Sequence, residues 1–202
     1  MNSSNNKKII LCDLGGVLIE LNWYDKMRAL FPQLQLKEEI LNMWLGLKSV
    51  KYYESGKCGF DEFYELFIKE TKLDINFDTF KKDFCSIIGE LKPNCLEILQ
   101  QLKAYGTLAM LSNTNSIHIE TLRERTCLFD HFEHLFFSYE MGMVKPDIAI
   151  YKEIIRRLDV NADAIFFFDD NLQNVQSAYQ AGINAFVVTD PQRIITIMSD
   201  MV

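Results

Sequence analysis

Between residues 107 and 188, short apolar runs alternate with amphipathic stretches of helix length, and this alternation constrains the fold more than any other feature. Residues 107–111, 135–138, 165–168 and 185–188 read as strands, and 115–125, 148–158 and 172–181 as helices. Pro93 opens a preceding helix with Cys95, Leu96, Ile98, Leu99 and Leu102 on one face and Gly106 as its stop; Pro191 opens a last one. Strand–helix–strand units join by right-handed crossovers and stack into a parallel sheet covered on both faces. The run 9–12 (Ile-Ile-Leu-Cys) joins that sheet, because a short continuous apolar run bounded by turn residues is a strand buried on both sides. The expected class is α/β, a doubly wound parallel sheet.

Residues 22–89 interrupt the pattern. Trp23, Met27, Leu30 and Phe31 space as one helix face ended by Pro32, and Ile40, Trp44, Leu45 and Leu47 as a second. After the turn Ser55-Gly56-Lys57-Cys58-Gly59, Asp61 is placed to cap a third helix carrying Phe63, Leu66 and Phe67. A fourth carries Phe77, Phe80, Phe84, Ile87 and Ile88. Such aromatic stripes read as packing. The organisation expected is a core of residues 1–20 and 91–202 with an inserted helical bundle over 21–90.

Charge narrows the partners. A net charge of −7 argues against nucleic acid, which needs a basic footprint. No apolar stretch approaches the length of about 18 residues that spans a bilayer, and the first apolar run is broken at Asp13 before a signal-peptide core could form. The first eight residues are polar and expected to fray. Cys12, Cys58, Cys85, Cys95 and Cys127 are odd in number, lack a C-x-x-C and have apolar neighbours, so they read as reduced core thiols. A cytoplasmic monomer or homodimer acting on a small molecule is expected.

The chemistry stands where strands stop. Asp13-Leu14-Gly15-Gly16 follows the first, Ser112-Asn113-Thr114-Asn115 the second, the loop reaching Lys145-Pro146-Asp147 the third and Asp169-Asp170-Asn171 the fourth. Each has an ordinary reading as a cap or turn. Together, at the carboxyl ends where open α/β sheets bind ligands, they assemble a site. Asp13, Asp169 and Asp170 are hard oxygen ligands that crowd without a cation, and Mg²⁺ suits carboxylates joined by a phosphate oxygen. Ser112 and the N–H groups after it, including that of Asn113, can hold phosphoryl oxygens. Lys145 adds positive charge, and Asp13 can act as a carboxylate nucleophile.

The order D-L-G-G-V, L-S-N, K-P-D, F-F-D-D-N resembles the haloacid dehalogenase-like hydrolase superfamily, most closely a helical-cap branch similar to sugar phosphatases of the glucose-1-phosphate type. The resemblance spans essentially the whole chain. It implies a Rossmann-like core with an inserted α-helical cap, Mg²⁺, and an aspartyl-phosphate intermediate on Asp13. By the same match Ser112 and Lys145 bind phosphate, and Asp170, helped by Asp169, binds metal.

The superfamily pattern places a second aspartate two residues after the nucleophile, where it lends metal its carbonyl and serves as general acid/base. Gly15 stands there, as it does in the branch resembled, keeping the carbonyl and losing the acid. Three readings stay open: slow catalysis, a substitute acid elsewhere, or a leaving group needing little protonation, such as an anomeric hydroxyl. Rival functions are a metal-independent 2-haloacid dehalogenase, which the aspartate pair disfavours by repelling the substrate carboxylate, and a phosphate- or metal-binding regulator without turnover. His131 and His134 could bind metal by spacing but lack a third ligand and read as surface or packing residues. Glu20 and Asn22, where the chain enters the insert, either border the pocket or solvate a hinge, the second reading being preferred for Glu20.

Overall fold

The computed structural model describes residues 8–201; the polar lead-in 1–7, expected to fray, lies outside them. In chain order the elements are β1 (Ile9–Cys12), β2 (Ile19–Leu21), α1 (Trp23–Leu30), α2 (Lys37–Gly46), α3 (Lys48–Glu54), α4 (Phe60–Thr71), α5 (Phe77–Cys85), β3 (Ile88–Leu91), α6 (Cys95–Leu102), β4 (Thr107–Ser112), α7 (Ser116–Arg125), β5 (His134–Phe137), α8 (Ser138–Met141), α9 (Ile148–Leu158), β6 (Ile165–Asp169), α10 (Leu172–Gln180), β7 (Asn184–Val187) and α11 (Pro191–Asp200).

Five strands pair in parallel in the order β5-β4-β1-β6-β7, a Rossmann-like α/β sheet. β1 is central: the chain builds outward through β4 and β5, then returns to β6 on its other side. The end of β1 is therefore the switch point, where neighbouring connections diverge and leave a crevice. Strand side chains alternate between two cores. Ile10, Cys12, Leu108, Met110, Phe166 and Phe168 pack against α6, α7 and α11. Ile9, Leu11, Ala109, Leu111, Ile165 and Phe167 pack against α9 and α10.

A third apolar cluster draws all its buried members from the insert, from Met27 and Trp44 to Phe80, Phe84 and Ile87. Tyr53 stacks on Phe63 at 4.5 Å, and Phe80 and Phe84 lie 5.7 Å apart. The expected packing role of the aromatic stripes is what the structure shows.

Four details differ from the sequence reading. The insert has five helices where four were expected, because the chain breaks at Leu47 between α2 and α3. The insert is not strand-free: β2 and β3 pair antiparallel, so its entry and exit leave side by side, with Asn22 N–H donating to the Ile87 carbonyl at 2.8 Å. Ile87 and Ile88 follow Phe84 at helical spacing, but α5 ends at Cys85 and Ile88 starts β3. Gly59, not Asp61, precedes α4, placing Asp61 inside the first turn, where its charge suits the helix dipole.

Candidate active site

β1 ends directly into Asp13, whose N–H donates to the Phe168 carbonyl (2.8 Å) and carries the β1–β6 ladder one residue further. The chain then turns back within Leu14–Ile19, with Leu18 and Ile19 N–H groups both donating to the Leu14 carbonyl at 2.9 and 3.1 Å. Gly16 makes the turn possible: its φ is +77°, and a Cβ would strike the Asp170 carboxylate. Gly15 is not in that left-handed region; a Cβ there would meet the Leu21 Cδ1 at 2.7 Å.

Lys145 organises the rim. Its Nζ lies 2.8 Å from Asp13 Oδ1, 2.6 Å from Asp169 Oδ2 and 3.2 Å from the Leu111 carbonyl, which sets the ammonium between the ends of β1, β6 and β4. All three ionisable residues are buried. Burial works to lower the Lys145 pKa, but Asp13 and Asp169 together outweigh it and hold the ammonium above its usual range. Burial pushes Asp13 up, with Asp169 and Asp170 adding to it and Lys145 pulling down. Asp13 Oδ1 also accepts the Leu14 N–H at 2.7 Å, which fixes its rotamer.

The two aspartates after β6 are not equivalent. Asp169 accepts from Lys145, from the Asn171 N–H (2.8 Å) and from Asn174 Nδ2 at 3.0 Å to each oxygen. Asp170 is exposed at the rim as a residue; the protein crowding the site and the charge of Asp169 push its carboxyl up, while Lys145 and Lys37 of α2 draw it down. Oxygens of Asp13, Asp169 and Asp170 lie within 4.8 Å of one another, and a hard divalent cation fits that donor set.

Ser112, the last residue of β4, is buried at the same rim. The Asn113 side chain has a structural role. It is taken by the backbone of Lys145, accepting the Lys145 N–H at 2.8 Å and donating to the Lys145 carbonyl at 2.9 Å. It anchors the lysine rather than offering its amide to a ligand.

The insert leans on this rim through residues that sequence reasoning missed. Ser138 Oγ donates to the Glu54 carbonyl at 2.7 Å and accepts the Thr114 N–H at 3.0 Å, joining the end of α3 to the loop after β4. The half-buried Glu54 lies within electrostatic reach of Lys145, and Lys145 and Trp44 both favour its ionised form against the effect of burial. His118 of α7 stacks on Phe84 at 4.5 Å, its Nε2 against the Phe84 carbonyl (2.9 Å) and its Nδ1 against Asn115 Nδ2 (3.1 Å). Asn174 was legible in principle, falling on the first helical turns after Asp169. Glu54 and His118 depend on tertiary packing that no spacing announces.

The remaining candidates take ordinary roles. Glu20 pairs with Lys92 at 2.9 Å on the surface, and Asn22 Nδ2 donates to the Ser86 carbonyl at 3.1 Å, so both tie the ends of the insert. His134 begins β5 and His131 precedes it, at the opposite end of the strands from Asp13; neither joins an acidic or thiol cluster among the described residues. Cys12 and Cys95 are buried, Cys58 and Cys85 half-buried, but Cys127 is exposed, contrary to its expected core position. All are free thiols. Among the described residues no helix is long and apolar enough to cross a membrane.

Sheet and rim together define a Rossmann-like α/β core with an acidic, lysine-bridged site at its switch point. The chain belongs to the haloacid dehalogenase-like hydrolase family, whose model matches residues 7–182. It is 27% identical to a sesquiterpene phosphatase of Aspergillus oryzae, over 91% of this chain and 90% of that one. It is 25% identical to a D-ribitol-5-phosphate phosphatase of Bacteroides thetaiotaomicron, over 89% and 90%. The crystal structure of a family enzyme from Bacteroides thetaiotaomicron, in complex with magnesium and inorganic phosphate, superposes with a TM-score of 0.74 at 26% identity, covering 90% of this chain and 93% of that one.

Proposed function

We propose that the chain is a magnesium-dependent phosphatase that moves the phosphoryl group of a small phosphate ester first to Asp13 and then to water. The observation that carries this reading is the buried Lys145 ammonium held between Asp13 and Asp169, with Asp170 left accessible beside them. Lys145 and the Leu14 N–H occupy Oδ1 of Asp13, so Oδ2 is the attacking oxygen. The Ser112 hydroxyl, the Asn113 N–H and Lys145 receive the phosphoryl oxygens. Asp13, Asp170 and the Gly15 carbonyl would hold Mg²⁺, with Asp169 acting from behind by orienting Lys145. When bound, the ion supplies positive charge that draws the phosphoryl group onto crowded carboxylates. The family neighbour crystallised with magnesium and phosphate supports this assignment.

In the same reading, residues 21–90 are a cap domain over a core of 1–20 and 91–202. Its closure excludes water and selects the alcohol. A sugar phosphate is the proposed substrate, in keeping with the relative named for D-ribitol-5-phosphate. A phosphate of an apolar alcohol is the second reading. Leu21, Leu36 and Leu172 are 43%, 61% and 57% exposed; Leu21 borders Gly15, Leu36 precedes Lys37 and Leu172 follows the Asp169–Asn171 loop. The relative named as a sesquiterpene phosphatase points the same way. A screen of sugar, polyol and prenyl monophosphates with Mg²⁺, using Asp13→Asn as the blank, tests both. Phosphate release absent in the blank supports the reading, and equal release by the two proteins refutes it.

A further inference from the structure

Gly15 provides no acid for the leaving group, so the proton must come from elsewhere or not at all. We propose that Glu54 is the general acid and base of this reaction, delivered to the site by the insert; the proposal rests on the phosphatase reading of the Asp13 rim.

Three features place Glu54. It ends α3, and its carbonyl is held by Ser138 Oγ, which also takes the Thr114 N–H; the helix end is thereby fixed to the loop beyond Ser112. The following turn is seated against the core, because Gly56, at φ +68°, packs so closely on the Tyr139 carbonyl that a Cβ would collide with it. The carboxyl lies within electrostatic reach of Lys145, the ammonium that also holds Asp13. Glu54 therefore comes to the rim from the insert, beside the loop that follows Ser112 and on a different element from the nucleophile at the end of β1. Its proposed role sets the carboxyl on the side where an in-line attack by Asp13 leaves the departing oxygen.

Its protonation suits the task. Burial pushes the carboxyl up to about 7, with Lys145 and Trp44 pulling the other way, so a proton is held near neutrality. A permanently ionised carboxylate here would instead repel the incoming phosphate. In the first half-reaction Asp13 Oδ2 forms a bond to phosphorus, the ester P–O bond breaks, and the Glu54 proton passes to the leaving oxygen, giving the free alcohol. In the second, water attacks phosphorus, the ionised Glu54 takes a water proton, and the bond between phosphorus and Asp13 breaks. Phosphate leaves, and both carboxyl groups return to their starting states.

The test compares kcat/KM, which reports steps up to leaving-group departure, for wild type and Glu54→Gln across 4-nitrophenyl, phenyl and alkyl phosphates at saturating Mg²⁺. The amide keeps the size of the side chain but carries no acid proton. Expected is a loss of about 10²-fold or more on the alkyl ester, within the usual range for general acid catalysis, and little loss on 4-nitrophenyl phosphate, whose leaving group needs no proton. Inhibition by inorganic phosphate should be unchanged, and Glu54→Asp should recover part of the alkyl rate. Equal losses across the series, or none on the alkyl ester, would overturn the role of Glu54 while leaving Asp13 untouched. Turnover that survives Asp13→Asn, or is absent in wild type, would instead overturn the parent reading and Glu54 with it.

Discussion

His118 should make the protein acid-labile in a way one substitution can isolate. The Phe84 carbonyl can only accept, so Nε2 carries the hydrogen; Nδ1 is then the acceptor for Asn115 Nδ2. The neutral ring is fully satisfied, and a second proton would oppose the Asn115 amide. Burial lowers its pKa from 6.5 to about 4, the Phe84 bond opposing the shift. The sign follows from linkage. Above about pH 7 neither folded nor unfolded chain is protonated at this site, and there is no penalty. As the pH falls through the unfolded value, the unfolded chain takes a proton that the folded one refuses; the penalty stops growing near the folded value. At pH 5 it is about 2 kcal/mol, rising to about 3 kcal/mol below pH 4. His118→Gln keeps a donor for the Phe84 carbonyl and removes the titration. Urea midpoints of the two proteins should draw together between pH 8 and pH 5 by about 1 M, for a slope of about 2 kcal/mol per M. A difference in midpoint that does not change with pH would refute the argument.

Other outcomes follow from the rim. Lys145→Met leaves Asp13 and Asp169 buried without their cation, so it should cost about 3–5 kcal/mol in chemical denaturation, and Asp169→Asn in the same chain should restore part of it; an unchanged midpoint would show that the pair is already neutral. Asp170→Asn should raise the Mg²⁺ concentration needed for half-maximal activity with little change in Tm, whereas Asp169→Asn should lower Tm; the reverse pattern would exchange their roles. Gly16→Ala should abolish activity, since it strains a φ of +77° and displaces Asp170, and a variant with wild-type kcat would contradict the turn geometry. The nearest neighbour of a Cβ at Gly15 is the exposed Leu21 side chain, so Gly15→Asp should fold with a Tm within about 3 °C of wild type; a larger drop would show that Leu21 cannot yield.

The sheet and its rim were legible because strands buried on both faces leave continuous apolar runs, and a carboxylate ending such a run is conspicuous. Asp13, Ser112 and Asp169 were placed by that contrast, and Lys145 by its Pro-Asp turn. Where burial is one-sided the pattern fails. β2 and β3 are short and partly exposed, and Ile87 and Ile88 continue the spacing of α5 although the chain has left the helix. The clamp of the Asn113 side chain on the Lys145 backbone was not legible, because spacing cannot show a side chain reaching a residue 32 positions on. Glu54 carries no spacing signal; its electrostatic environment near Lys145 comes from tertiary structure alone.

Covalent capture tests the central claim most directly. Wild type mixed with ³²P-labelled 4-nitrophenyl phosphate and Mg²⁺, then quenched in acid, should carry label that hydroxylamine removes and that maps to the peptide containing Asp13. Asp13→Asn should carry none. Turnover by wild type with no trapped label, or label on any other residue, would contradict Asp13 as the nucleophile.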